Sequence, residues 1–283
     1  MTGAAIISAL AVWGAGWWLN ARLAASTVAG TRVVRLAVPA IFGLTLLIMW
    51  ELLVRMLEVS PVILPPPTMI AERFANEIPT LWADFVQTII KGAMTGYIVG
   101  GLAAFAIAIL ADRSDFLTRG ILPVGSFMAA LPIVGIAPIF VRWLGSDWQS
   151  KAAVVAVMVF FPILVNTVAG LRDTTAMQRD LMRTYGASYW ATLFKLRLPA
   201  AMPFIFNGLK ISTTLALIGA IVAEFFGSPT VGMGFRISTS VGQLALDMVW
   251  AEIVVAALAG SAFYGLMAWI EGRVTFWHPS QRK

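Results

Sequence analysis

The side chains that most often carry chemistry are nearly absent from this chain. It has no cysteine and a single histidine, His278, close to the C-terminus. Disulfides, thiolate metal sites and histidine-dependent triads are therefore out of reach. No G-x-x-x-x-G-K-[ST] stretch occurs, so the chain has no phosphate-cradling loop of its own. What remains is a polar island within apolar sequence and a few ionisable residues inside apolar runs.

The island runs from Asp180 to Pro199, DLMRTYGASYWATLFKLRLP. In a chain that is 59% hydrophobic it must lie in water or against a soluble partner. Its order suits a lever that transmits force across a subunit boundary. Residues 174–185 have helix-forming content, and Gly186 permits a backbone turn that other residues resist. Residues 187–196 are expected to form a second short helix, with Tyr189, Trp190, Leu193 and Phe194 as an apolar contact set. Pro199 and Pro203 then set the angle at which the chain re-enters the membrane.

Each ionisable residue in an apolar run needs a reason, because a charge at a helix centre costs about 2.5–3.5 kcal/mol on insertion scales. Glu51 and Arg55 stand four apart and should pair on one helix face. Lys91 and Lys210 fall near span ends and should snorkel to the headgroups. Asp247 and Glu252 flank a helix entry, where the helix dipole favours acidic groups. Glu224 precedes a segment holding Gly227, Gly232 and Gly234. Two readings of it stand: a contact that positions this loop, or a role in an outer gate or in docking an external protein.

The elements that must hold these residues are membrane helices. A mean hydropathy of +0.85 with 12% charged residues describes an all-α polytopic membrane protein. Apolar runs long enough to cross the bilayer lie near 33–56, 85–110, 121–142, 152–171, 203–226 and 249–270, and a further run at 3–19 is read as an additional N-terminal span. The alternative for 3–19 is a helix along the interface, with Trp13, Trp17 and Trp18 at headgroup depth. Basic residues gather on the island, on Arg22, Arg32 and Arg35, and on the C-terminal Arg273, Arg282 and Lys283, which makes these segments cytoplasmic. The net charge of +6 is accounted for by such loops, and no nucleic-acid partner is expected.

Two patterns bear on packing. Gly92, Gly96, Gly100, Ala104 and Ala108 recur every four residues, a stripe that allows close backbone approach. Pro123, Pro132 and Pro138 fall in one span, so that helix should be kinked or broken. Broken helices are tolerated where they are buried in protein or line a wet cavity, which makes Pro132 and Pro138, with Glu224, the pathway and gate candidates. The turn SPVILPPPT precedes a short amphipathic helix over 68–82.

The island resembles the EAA loop of ABC importer permeases, E-A-A-x3-G-x9-I-x-L-P. Gly186, Leu198 and Pro199 carry the match, while Asp180 replaces the Glu, Leu181 and Met182 the alanines, and Leu196 the Ile. The series LPIVGIAPIFVRWLG, FFPILVNTVAGLRD, LPAAMPFIFNGLKIS, VAEFF and VGMGF is similar to the nitrate/sulfonate/taurine branch of that family. The resemblance implies a six-helix permease core with the extra N-terminal helix. It divides the chain into an N-terminal helix and linker (1–32), a permease domain (33–272) with a coupling segment at 173–200, and a cytoplasmic tail (273–283).

It further implies a homodimer in the bacterial inner membrane, two cytoplasmic ATPases and an extracytoplasmic substrate-binding protein. No cofactor is expected on this chain; ATP and magnesium belong to the partner ATPase, and the chain itself is no enzyme. Asp180, Gly186, Ala187, Ser188, Tyr189, Trp190, Leu198 and Pro199 are the implied coupling residues. The implied cargo is a small anion such as nitrate, sulfonate or taurine, with a pyrimidine or flavin compound as the alternative. A stand-alone secondary transporter would instead need midplane acidic residues and repeated halves, and no internal repeat is evident. If the core follows the family, deleting residues 1–19 leaves assembly intact; purification of the truncated chain with its partners checks this, and loss of the folded complex would contradict it.

Overall fold

The computed structural model describes residues 2–26, 30–129, 132–227 and 230–277; His278 and the rest of the C-terminal tail lie outside them. Among the described residues there is no strand. The helices are α1 (Thr2–Ala24), α2 (Arg32–Met56), α3 (Pro67–Asn76), α4 (Ile78–Asp112), α5 (Asp115–Ala129), α6 (Ile133–Leu144), α7 (Trp148–Arg172), α8 (Ala176–Thr184), α9 (Tyr189–Glu224), α10 (Met233–Gly242) and α11 (Leu246–Val274). Of these, α1, α2, α4, α7, α9 and α11 are long and apolar enough to cross a membrane. Hydrocarbon offers no partner for backbone polar groups, so each crossing must satisfy its own hydrogen bonds as a helix.

The chain forms two compact units, Met1–Ile78 with Thr239–Glu252, and Pro79–Ser238 with Ile253–Lys283. In the first, α1 lies against α2, and Gly16 meets Thr45 where any side chain would collide. The expected Glu51–Arg55 pair forms and is joined by Thr68, whose N–H and hydroxyl both donate to the Glu51 carboxylate (3.0 and 2.8 Å). That clamp ties the start of α3 to the end of α2. Asp247 faces Arg73 at 3.7 Å, and Trp50 meets Trp250 edge-on at 4.8 Å.

The second unit is organised by the small-residue stripe. A Cβ at Gly96 would strike the Ala152 carbonyl and sit 2.6 Å from Val155; one at Gly100 would strike the Ala156 carbonyl and sit 2.6 Å from Val159. Each step of four on α4 meets a step of four on α7 in the same direction, so the two helices run parallel. Ala104 and Ala108 continue the seam, fully buried. Ile89, Val155, Val159, Ile163, Ala216, Leu217 and Phe263 complete the core beside it.

Parallel neighbours need a return crossing between them, and this is where the proline-rich run falls. Residues 121–142, one apolar run by hydropathy, are interrupted as their prolines imply. The described residues among them fall in two shorter helices, α5 and α6, with Pro132 as the N-cap of the second. The break follows from the missing proline donor and from the extended backbone of Pro132 (ψ 118°). The second helix rises alongside α9: Ala137 packs with Ala223 and Val154, and Val141 crowds Gly227.

A second departure concerns the island. Its latter half is no separate short helix, because α9 runs unbroken from Tyr189 to Glu224. A π-helical stretch at Leu193–Arg197 directly precedes Pro199, where a regular turn would drive the proline ring against the carbonyl four residues back. Lever and membrane span are one rod. Replacing Gly100 with Leu should force α4 from α7 and cost about 1–3 kcal/mol. Thermal unfolding of the purified protein against Gly43→Leu, a site with open space around it, measures the difference, and equal midpoints would refute the seam.

Candidate functional site

The island folds as a capped helix, a turn and a clamp. Thr175 accepts from the Gln178 N–H (3.2 Å) while the Gln178 side chain accepts from the Thr175 N–H (2.9 Å), which starts α8 with a capping box. The helix ends at Tyr185, and Gly186 takes φ +67° with nothing near its missing Cβ. The left-handed backbone is therefore what calls for glycine here. Ser188 then caps α9 by accepting from the Ala191 N–H at 3.2 Å.

The start of α9 is fixed to the last residue of α4. Arg197 donates both terminal nitrogens to the Asp112 carboxylate, at 2.7 and 2.5 Å, and its Nε to the Leu171 carbonyl at 3.0 Å. The Tyr189 hydroxyl donates to the same carboxylate at 2.9 Å. The Arg113 guanidinium covers the rings of Tyr189 and Trp190 at 4.9 and 5.0 Å. Arg197, with the Asp112 carboxylate, thus gathers the ends of α4 and α7 and the start of α9.

This arrangement divides the expected apolar contact set. Leu193 is fully buried with Leu171, Ala201 and Ile205, and Tyr189 turns inward to Asp112. Trp190 and Phe194 stack on each other and stay exposed. Asp180 is exposed beside Arg183 (3.3 Å), Ser188 is exposed, and Ala187, Leu198 and Pro199 are half-buried. The larger exposed apolar surface is on α8 and its C-cap: Met177, Leu181 and Tyr185, at 82, 56 and 80% exposure. Their spacing of four puts them on one stripe.

At the far end of the same helices lies a second cluster. Three successive backbone N–H groups at the start of α10 are each held by a side chain. Gly232 donates to Asp84 (2.6 Å), Met233 to the Thr88 hydroxyl (2.8 Å) and Gly234 to Glu224 (2.7 Å). Thr88 in turn donates to Glu224 at 2.8 Å, and Arg236 Nε to Asp84 at 2.8 Å. Gly232 has φ +136°, and a Cβ there would lie 2.6 Å from the Glu224 carboxylate. Lys151, almost fully buried nearby, donates to the Ser146 carbonyl. Gln87 donates to Asp147 at 2.9 Å, and that bond, with the Trp148 N–H, holds the Asp147 carboxyl below its ordinary range.

Glu224 therefore does position the glycine-rich loop. Pro132, the N-cap of α6, and Pro138 within it are exposed, and α6 packs against α9 through Ala137 and Ala223. Lys210 pairs with Glu271, in the last turn of α11, at 2.6 Å. Asp84, Asp112, Arg236 and Glu271 escaped the sequence reading. The available signal was an acidic residue at each end of the α4 apolar run, with no basic residue four away to answer it.

A family model described as the inner membrane component of binding-protein-dependent transport systems matches residues 96–276, from the glycine seam through the island to α11. The chain belongs to that family. The permease is 29% identical to the formylaminopyrimidine transport permease of Halalkalibacterium halodurans, over 86% of this chain and 96% of that one. It is 28% identical to the riboflavin transport permease of Chloroflexus aurantiacus, over 83 and 88% of the two chains. The taurine transport permease of Escherichia coli is also 28% identical, over 82 and 86%. This is an ABC importer permease, a multi-pass component of the inner membrane, and its relatives are transport permeases rather than enzymes.

Removing the charge at Asp112 should release the start of α9. Asp112→Asn leaves Arg197 without its ion-pair partner at a mostly buried site, an expected loss of about 3 kcal/mol. Limited trypsin digestion would show it as faster cleavage after Arg183 and Lys195, and unchanged cleavage would mean that the clamp does not hold the island.

Proposed function

We propose that this permease forms a substrate pathway as a homodimer and is driven through segment 173–200 by two cytoplasmic ATPases. An extracytoplasmic binding protein delivers the ligand. ATP and magnesium are held by the ATPases, and the island end of the spans, with the C-terminal end of α11, faces the cytoplasm. The observation that carries this reading is the exposed stripe Met177, Leu181 and Tyr185 on α8. A short helix carrying Gln178, Arg179, Asp180 and Arg183 presents three large apolar groups on one stripe, while the adjoining α9 is clamped to α4 and α7 through Asp112 and Arg197. Such a surface suits a protein groove, and the clamp would carry motion of that groove into the spans. Nucleotide could then shift the pathway only through contacts that differ between its states.

The Asp180, Gly186, Ala187, Ser188, Tyr189, Trp190, Leu198 and Pro199 set is accordingly divided by role. Gly186 sets the turn, Ser188, Leu198 and Pro199 shape the entry into α9, and Tyr189 belongs to the clamp. Trp190 flanks the docking face. Glu224 is proposed to hold the external loop that closes the outer side, with Pro132 and Pro138 at the broken crossing beside it.

The cargo is proposed to be a small anion of the nitrate, sulfonate or taurine class, supported by the taurine permease among the relatives. A pyrimidine or flavin compound is the second reading, favoured by equal similarity to the formylaminopyrimidine and riboflavin permeases. Affinity purification of the tagged chain from native membranes tests the coupling assignment. An ATPase should co-purify in equal ratio, and both Gly186→Arg and Leu181→Asp should reduce its recovery roughly tenfold, the scale of losing an interface hot spot, with membrane insertion intact. Undiminished recovery and normal coupled transport by both variants would refute the docking face.

A further inference from the structure

Behind the α8 stripe the described residues enclose an open recess of about 480 Å³, lined by Asp112, Arg119, Arg172, Arg179 and Arg197. Four guanidiniums meet one carboxylate, and that carboxylate is already engaged by Arg197 and the Tyr189 hydroxyl. The lining side chains therefore carry four positive charges against one negative. Its walls place it at a definite depth. Asp112 is the last residue of α4, Arg172 the last of α7, and Arg197 stands where α9 enters its apolar length. Arg119 comes from α5, the first half of the broken crossing. These are the points at which apolar helices leave hydrocarbon, the level occupied by lipid phosphates.

Which occupant fits follows from α8. At 3.6 residues per turn, Arg179 lies across the helix from Met177, Leu181 and Tyr185. It is half-buried and bonded back to the Thr174 carbonyl. The recess thus opens behind the face offered to a soluble partner, toward the membrane boundary. Guanidiniums bind phosphate oxygens in pairs and remain charged at any relevant pH. Basic pockets between helices at the bilayer surface recognise anionic headgroups by this chemistry.

We propose that this recess binds the phosphate of an anionic membrane lipid, which braces α8 from behind. The chemistry is that of a phosphate oxyanion between guanidiniums, and the source is a phosphodiester headgroup rather than free phosphate. The site goes beyond the coupling role proposed above, and lipid binding by the chain does not require that role to hold.

The test uses the full-length permease in nanodiscs of phosphatidylcholine with a minor share of phosphatidylglycerol. Native mass spectrometry then counts the lipids that stay bound after release. Phosphatidylglycerol should be retained in preference to phosphatidylcholine. Retention should fall roughly fivefold for each arginine removed, in Arg119→Gln and again in Arg119→Gln/Arg179→Gln, the scale of one basic residue at a membrane surface. Lys195→Gln, a nearby exposed positive charge outside the recess, should leave retention unchanged. Equal retention in all variants would overturn the site. So would displacement of the lipid by millimolar inorganic phosphate, which would assign the recess to a free anion. Loss of ATPase recovery in the arginine variants with lipid retention intact would overturn it as well, by making the recess part of the protein interface. Failure of the coupling reading alone would show instead as lipid retained and no ATPase recovered at all.

Discussion

The backbone approach of α4 to α7 is the constraint on which the larger unit depends. Two helices that meet where one has no side chain gain close dispersion contact along the seam, and in a bilayer that contact replaces the hydrophobic drive available in water. Gly96 and Gly100 leave no room for a methyl group, so the two helices are locked in one register. Because they run parallel, everything between them must cross back, and everything after α7 must find its place on a surface already fixed.

That fixed pair explains where polar groups can be afforded. Asp112 at one end and Asp84 at the other belong to the same helix, and each is answered by an arginine from much later in the chain, Arg197 and Arg236. Both carboxylates are almost completely buried, so an unanswered charge at either place would be severely unfavourable. Lys210 and Glu271 neutralise each other between α9 and the last turn of α11. The spans are apolar rods pinned at chosen heights by charge pairs, a pattern that sets vertical position more sharply than hydrophobic length alone.

How much of this was legible in the sequence depended on distance along the chain. The small-residue stripe was legible because its period is local, and Gly186 because a turn between two helical stretches is a local event. The break at Pro132 was legible for the same reason, since one missing donor is enough to interrupt a helix. Hydropathy taken alone averages over such a break and hides it. The continuity of α9 through Pro199 was hidden too; it rests on a π-helical stretch that residue types do not announce. Least visible were the partners of Asp84, Asp112 and Lys210, which lie 152, 85 and 61 residues away. An acidic residue beside an apolar run signals that a partner is needed without saying which one.

The start of α10 shows what such partnering does to motion. Its first three amides are gripped by Asp84 and Thr88 from one helix and by Glu224 from another. Thr88 also donates to Glu224, so the grips are joined. A slide between α4 and α9 must stretch the Thr88–Glu224 bond together with at least one of the grips on α10. Nor can the start of α10 part from α4 by the loss of a single bond: leaving it costs the Asp84 and Thr88 bonds together, and Thr88 carries the link to Glu224 as well.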